Sequence, residues 1–254
     1  MKRVLFFVFL ILGVLSIPVF GASYGWGFNR NSDNKTPDIG RYKNEIEGTN
    51  SYYVGDVNSK DIYLTFDAGY DTGHMEKILK ILKEKEVLST FFITGDFLVR
   101  QSELVMMIAN DNHIVGNHTW GHKNITQLSK AQIEEQLYKV EEKYKEITNK
   151  EMIRVFRPPA GNFNKTSLNY IKDCGYATFF WSIAFKDWIN DSRGRDYSYN
   201  NVINNLHNGA IILLHTVSDF NVEALPDIID EIRARGYTIR NLDYLISSGN
   251  WTFF

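Results

Sequence analysis

The sequence predicts an α/β protein whose parallel strands close as a (β/α) barrel, and three observations carry that expectation. From Lys60 onward, short apolar runs of strand length alternate with longer segments whose apolar residues recur at helical spacing. Repetition of that unit implies a parallel sheet covered by helices. The residues able to do chemistry, Asp67, His118, Arg157, Asp187 and His215, each follow a strand-like run. Side chains gathered beyond the carboxyl ends of many strands are what a β/α barrel produces, which favours it over an open doubly wound sheet.

In chain order, Lys2 and Arg3 precede an apolar run from Val4 to Phe20 that is interrupted by Pro18 and followed by Gly21 and Ala22. A positive start, an apolar centre and small residues at the end describe a secretory signal cut before Ala22. With about 17 residues, the run also stands at the lower limit for an uncleaved membrane anchor. Residues 1–22 are assigned to that signal or anchor, and the remainder is expected to be exported. Residues 23–59 form a lead-in arm. Asn29 to Lys43 is polar and carries Pro37 and Gly40, as irregular backbone does, whereas Tyr24-Gly25-Trp26-Gly27-Phe28 is too aromatic for a free linker and is expected to pack on the domain.

The domain is expected over 60–246, followed by a tail over 247–254. Ile62, Leu64 and Phe66 alternate as a first strand, and Met75, Ile78, Leu79 and Leu82 mark one face of a helix. Thr90 to Thr94 reads as a buried strand, Leu104 to Ala109 as a helix, and Ile114-Val115 as a short strand. Ser129 and Gln132 make a capping box for a long helix with Ile133, Leu137, Val140, Tyr144 and Ile147 on its apolar face. Val155-Phe156, Thr178 to Trp181 and Ala210 to Leu214 continue as strands. Helices are expected near Lys165 to Cys174, Ser198 to His207 and Val222 to Arg235, the last with Leu225, Ile228, Ile229 and Ile232 on one face.

Composition narrows the chemistry. The chain has 254 residues, 44% hydrophobic and 23% charged, which suits one globular domain plus a short extra segment. A net charge of −2 gives no reason to expect nucleic acid as a partner. A single cysteine, Cys174, excludes an intramolecular disulfide and a cysteine-based zinc site, so any metal must use histidine and oxygen ligands.

His118 and His122 stand four residues apart in a chain with only 6 histidines. On a helical turn both rings would face one metal ion; a chance pair on a solvated helix is the alternative. Asp67, just past an alternating strand, is a candidate general base, against a reading as a turn aspartate. Arg157 could hold it ionised, or be a surface arginine before Pro158-Pro159. His215 ends a fully apolar strand, where an imidazole has little to do unless a partner or substrate meets it; Asp187 could orient it, and Trp188 could wall a sugar ring. His74, His113 and His207 lack such settings and read as ordinary surface or loop residues.

These residues fall into five ordered motifs: Thr65-Phe66-Asp67-Ala68-Gly69, His118-Thr119-Trp120-Gly121-His122, Arg157 to Gly161, Asp187-Trp188, and Leu213-Leu214-His215. In them the chain resembles the polysaccharide deacetylases of the NodB homology type, carbohydrate esterase family four, over about residues 60–246. The resemblance implies a distorted (β/α) barrel, a divalent metal that is usually zinc, and removal of an N-acetyl group from an amino sugar. It assigns Asp67 as base, His215 as acid, Arg157 and Asp187 as their respective partners, His118 and His122 as metal ligands, and Tyr70, Pro159, Gly161, Trp188 and Leu213 as substrate contacts. Peptidoglycan glycan strands are the partner implied, and a monomer is expected.

One departure matters. The family's first motif normally carries a second aspartate that binds the metal, and Ala68 occupies its place. A methyl group cannot coordinate, so the ion would keep two protein ligands plus water, with help from Asp67 or Asp71, and be weakly held. Loss of that aspartate, the Gly69-Tyr70 pair, the aromatic lead-in and the run Trp181-Ser182-Ile183-Ala184-Phe185 resemble the spore-cortex muramic acid deacetylase branch. The implied function is hydrolysis of the acetamide of N-acetylmuramic acid in peptidoglycan, leading to muramic δ-lactam. Arg193 and Arg195, in the polar segment after Trp188, are candidate donors for the muramic carboxylate or, equally, solvated loop charges. The alternatives are a deacetylase of N-acetylglucosamine polymers and a noncatalytic glycan-binding protein on the same scaffold.

Overall fold

The computed structural model describes residues 22–30, 34–189 and 193–248. The expected signal or anchor, up to Gly21, and residues 249–254 of the expected tail lie outside that set. Among the described residues no helix is long and apolar enough to cross a membrane.

The elements run β1 (Tyr24–Gly25), α1 (Tyr42–Ile46), β2 (Ser51–Tyr52), β3 (Asp61–Ala68), α2 (Met75–Glu84), β4 (Thr90–Ile93), α3 (Gly95–Arg100), α4 (Ser102–Asn110), β5 (Ile114–Asn117), α5 (Lys130–Thr148), β6 (Val155–Phe156), β7 (Asn162–Phe163), α6 (Lys165–Asp173), β8 (Ala177–Phe179), α7 (Arg195–Ile203), β9 (Ile211–His215), α8 (Asp219–Ala234), β10 (Thr238–Arg240) and α9 (Leu242–Ser248). Every pairing in the main sheet is parallel. Its order is β10-β3-β4-β5-β6-β8-β2, with β9 also on β3. The sheet curls as a half-barrel, the distorted form of the expected β/α barrel.

Period-2 alternation sorts each strand between two cores. On β3, Ile62, Leu64, Phe66 and Ala68 join the large cluster with Met75, Ile78 and Leu79 of α2 and Leu225, Ile228 and Ile229 of α8. Tyr63 belongs instead to a second cluster with Phe92, Ile114, Val155, Phe179 and Ile211, to which α9 contributes Leu242 and Leu245. Gly116 is needed there, since a Cβ on it would stand 2.6 Å from the Phe92 ring. Beyond β8 the chain crosses to β9. Phe180 N–H donates to the Tyr52 carbonyl (2.8 Å), and Ser182 N–H to that of Ile211 (3.0 Å). The expected strand to Trp181 therefore ends at Phe179, because the next residues leave one edge to reach the other.

The expected capping box on α5 is present, with Gln132 N–H on Ser129 Oγ (3.3 Å) and Ser129 N–H on Gln132 Oε1 (2.9 Å). Helix α3 was not foreseen; its start is set by Thr94, whose Oγ1 accepts from Phe97 N–H at 3.2 Å. Segment 23–59 gives the main sheet its edge strand β2, and β1 pairs antiparallel with β7. Trp26 stacks on Phe180 with ring centres 4.1 Å apart and donates its Nε1–H to the Trp181 carbonyl (2.9 Å). Trp26→Ala removes a buried indole and this donor, and should lower unfolding free energy by about 3–5 kcal/mol in urea denaturation.

Candidate active site

Asp67, near the carboxyl end of β3, is 8% exposed, and Arg157, one residue past β6, is 0% exposed. Arg157 Nη1–H donates to Asp67 Oδ1 at 2.8 Å, its Nε–H to the Phe179 carbonyl at 3.1 Å and its Nη2–H to the Phe180 carbonyl at 3.4 Å. The guanidinium lies over the Phe92 ring, 4.1 Å from its centre. Burial alone would push the Asp67 carboxyl up. The charge of Arg157, with smaller contributions from His118 and His215 and the Arg157 hydrogen bond, outweighs it and holds Asp67 below the usual carboxylate range.

His118 and His122 are brought together, but by another route than the expected helical turn. β5 ends at Asn117, and the chain turns through left-handed residues at Thr119 (φ 66°) and His122 (φ 50°). Asn117 Oδ1 fixes that turn by accepting from Thr119 N–H at 3.0 Å. The two rings lie edge to face with centres 5.0 Å apart. His118 Nδ1–H donates to the Arg157 carbonyl at 2.8 Å; its Nε2 stands 3.7 Å from Asp67 Oδ2. Burial lowers the His118 pKa to about 4. His122 is exposed on its outer side, and protein packed around its inner side also lowers its pKa.

His215 ends β9 as the register partner of Asp67 on β3. Its Nδ1–H donates to Asp187 Oδ1 at 2.6 Å, and its backbone N–H to Asp187 Oδ2 at 2.8 Å. Burial would lower its pKa, but the hydrogen bond and charge of Asp187, aided by Asp67, raise it. Trp188, 50% exposed, meets the His215 ring edge to face at 5.2 Å. Leu213 lies two residues before His215 and shares its face of β9. Tyr70, 56% exposed, sits on the loop after β3. Pro159 and Gly161 form a tight turn after Arg157, and Gly161 closes against Trp26 and Trp181 rather than against the titratable cluster.

The residues test the metal expectation in part. His118 and His122 are neutral donors, and the Nδ1–H bond leaves His118 Nε2 unprotonated, as a ligand requires. Ala68 is buried in the core and adds nothing. Asp71 serves its own loop instead: Oδ2 accepts from Gly73 N–H (3.0 Å) and Oδ1 from Met75 N–H (3.3 Å). Among the described residues no set of three or more histidine, cysteine or acidic side chains is placed to hold an ion. The donor set fits an ion held by two imidazoles with water completing the shell.

Other expectations are corrected. His74, His113 and His207 lie in loops, as expected, but are buried rather than at the surface, and each has its own partner. His74 bridges Thr72 and Asp219, both at 2.6 Å; His113 accepts from Ser89 N–H at 3.2 Å; His207 donates to the Asn205 carbonyl and meets Ser182 Oγ at 2.9 Å. Arg195 pairs with Asp196 and Asp227, and Arg193 lies over the Tyr197 ring at 4.1 Å, so both turn towards α7 and α8. Sequence reasoning missed Asn221, whose Nδ2–H groups reach Asp187 Oδ2 (2.6 Å) and the His215 carbonyl (3.1 Å). The available signal was an asparagine at the third position of a helix capped by Ser218, six residues after His215.

A curled parallel sheet with a carboxylate–guanidinium couple and an imidazole–carboxylate couple on neighbouring strand ends defines a hydrolase of the carbohydrate esterase type. The chain belongs to the polysaccharide deacetylase family, whose model matches residues 54–179. It is 42% identical over 223 residues to the peptidoglycan-N-acetylmuramic acid deacetylase PdaA of Bacillus subtilis, covering 87% of this chain and 85% of that one. An uncharacterized 30.6 kDa protein of Geobacillus stearothermophilus is 44% identical over 223 residues, covering 87% and 84%. The solved structure of B. subtilis PdaA, a family 4 carbohydrate esterase, superposes with a TM-score of 0.86 at 41% identity over 89% of this chain and 98% of that chain.

Arg157→Met should leave Asp67 as an uncompensated buried carboxylate and cost about 3–5 kcal/mol at neutral pH. Asp67 is depressed in the native chain, so its stabilising contribution is present above the unfolded value of about 4 and is lost as pH falls through the lower folded value. In the variant, burial raises Asp67 and the deficit should shrink on acidification. Urea titrations of both chains between neutral and acid pH measure it.

Proposed function

We propose that the chain hydrolyses the acetamide of N-acetylmuramic acid residues in peptidoglycan glycan strands, outside the cytoplasm. One observation carries this reading: on adjacent strand ends stand a carboxylate bonded by Arg157, whose charge favours its ionised form, and an imidazole bonded by Asp187, whose charge favours its protonated form, a pairing that suits a base and an acid. The similarity to PdaA supports muramic acid as the sugar.

Asp67 accepts a proton from water as that water attacks the acetyl carbon. Arg157 keeps the base ionised and aimed. The oxyanion that forms needs donors, for which the backbone N–H groups of Gly69 and Tyr70 are proposed. His215 then gives its Nε2 proton to the nitrogen as the C–N bond breaks, leaving acetate and a free amine; where the peptide stem has been removed, that amine can condense with the lactyl carboxyl as a lactam, with loss of water. A divalent ion, for which zinc is proposed, would be held by His118 and His122 and supply Lewis acidity to the acetyl oxygen and the water. Tyr70 and Trp188 offer exposed rings for sugar stacking, and Leu213 and Pro159 are proposed to border the acetyl group.

Asp67→Asn preserves size while removing the proton acceptor, so acetate release should fall on the order of 10²-fold or more with the fold intact. His215→Ala should fall comparably. Wild-type turnover in both would reject the base and acid assignments.

With only two imidazoles, the ion should be labile. Activity should be lost to a chelator and restored by zinc, and His118→Ala should abolish that restoration; full activity in metal-free protein rejects the metal site. On substrate, mass analysis of muropeptides should find deacetylated muramic residues, preferably in strands without peptide stems, and little action on chitin oligomers. Equal or faster action on chitin oligomers leaves a general deacetylase. Binding to strands with no acetate release leaves a glycan-binding protein, the outcome that Ala68 favours.

A further inference from the structure

The carboxylate of Asp187 is 1% exposed and has three donors: His215 Nδ1–H on Oδ1, and His215 N–H and Asn221 Nδ2–H on Oδ2. The third comes from α8, outside the sequence motifs. Asn221 is itself 1% exposed and uses all of its amide. One Nδ2–H goes to Asp187, the other to the His215 carbonyl, and Oδ1 accepts from the Ser198 hydroxyl of α7. Ser198 is 0% exposed. A flipped amide would set Oδ1 against a carboxylate and a carbonyl while facing Nδ2 to Ser198, so the network admits one orientation. Ser218 Oγ holds the backbone of Asn221 at 3.3 Å.

We propose that Asn221 and Ser198 are positioning residues for the His215–Asp187 couple, Asn221 fixing the Asp187 carboxylate so that Oδ1 meets the imidazole, and Ser198 fixing the Asn221 amide. The proposal rests on the reading of His215 as the acid. Asn221 also moderates the acid: a carboxylate that shares its charge among three donors holds the His215 proton less tightly than one with two. The charged and titratable groups facing His215 are Asp187 on the crossing segment, Asp67 on β3, Arg157 after β6 and His122 after β5. Of these only Asp187 bonds Asn221, and the Ser198 hydroxyl reaches the couple only through the Asn221 amide.

The test uses the full chain with Asn221→Ala, Ser198→Ala and Asn221→Asp, read in two ways. Imidazole NMR follows the His215 titration without substrate, and kcat and KM for acetate release are followed against pH. In Asn221→Ala the His215 midpoint should move up by roughly half to one unit, with kcat down about tenfold and KM within about twofold. Ser198→Ala should move it the same way by less, and Asn221→Asp by more, since it sets a second carboxylate against Asp187. A midpoint and kcat unchanged in both alanine variants overturn the proposal. If Asn221→Ala does not fold, Ser198→Ala decides it alone. If the wild-type chain releases no acetate from any amino sugar yet the midpoint still shifts, the positioning network stands and the proposed function falls.

Discussion

The mouth of the half-barrel depends on one guanidinium that water does not reach. Arg157 is fully buried, and its N–H groups bond Asp67 and the carbonyls of Phe179 and Phe180 at the end of β8, while its own carbonyl accepts the proton of His118. A single residue thereby ties together the ends of β3, β5, β6 and β8. Burying an arginine and an aspartate costs each its hydration, and that cost is offset only when geometry and secondary donors are complete. Arg157 makes three such bonds, one of them to Asp67, and the consequence reaches past stability: the same charge that makes the pair tolerable holds the Asp67 pKa down at a site where burial alone would push it up.

Environment, not residue type, separates the imidazoles. His118 donates to a neutral carbonyl and lies buried beside another imidazole, so its neutral form dominates and its Nε2 lone pair stays available. His215 donates to a carboxylate held by three donors, so its charged form is favoured despite its partial burial. One suits a ligand and the other a proton donor.

Much of this architecture was legible in the sequence. Alternation in Ile62, Leu64 and Phe66 and helical spacing in α2 and α5 reflect a local rule, one face buried, and such rules survive in the primary structure. The pairing of Arg157 with Asp67 and of Asp187 with His215 could be guessed because opposite charges stand at or beyond the ends of strand-like runs. Less legible was whatever depends on chain crossing. The histidine turn depends on left-handed Thr119 and on Asn117, which no periodicity encodes. The buried settings of His74 and His207 depend on Asp219 and Ser182, 145 and 25 residues away. Asn221 was invisible for a related reason, since a helix-capping position and a bridge to a distant carboxylate look alike until the helix is placed.

The edge strand β2 carries a consequence for how the chain assembles. It comes from before β3 in sequence, yet its sheet partner is β8, and Trp26 reaches a carbonyl 155 residues further on. Both contacts need β8 and the residues just after it, so the entropy of closing that span weighs against the gain from burying the aromatic cluster. Burial of the Trp26 indole therefore reports closure of a long loop rather than a contact between neighbours in sequence.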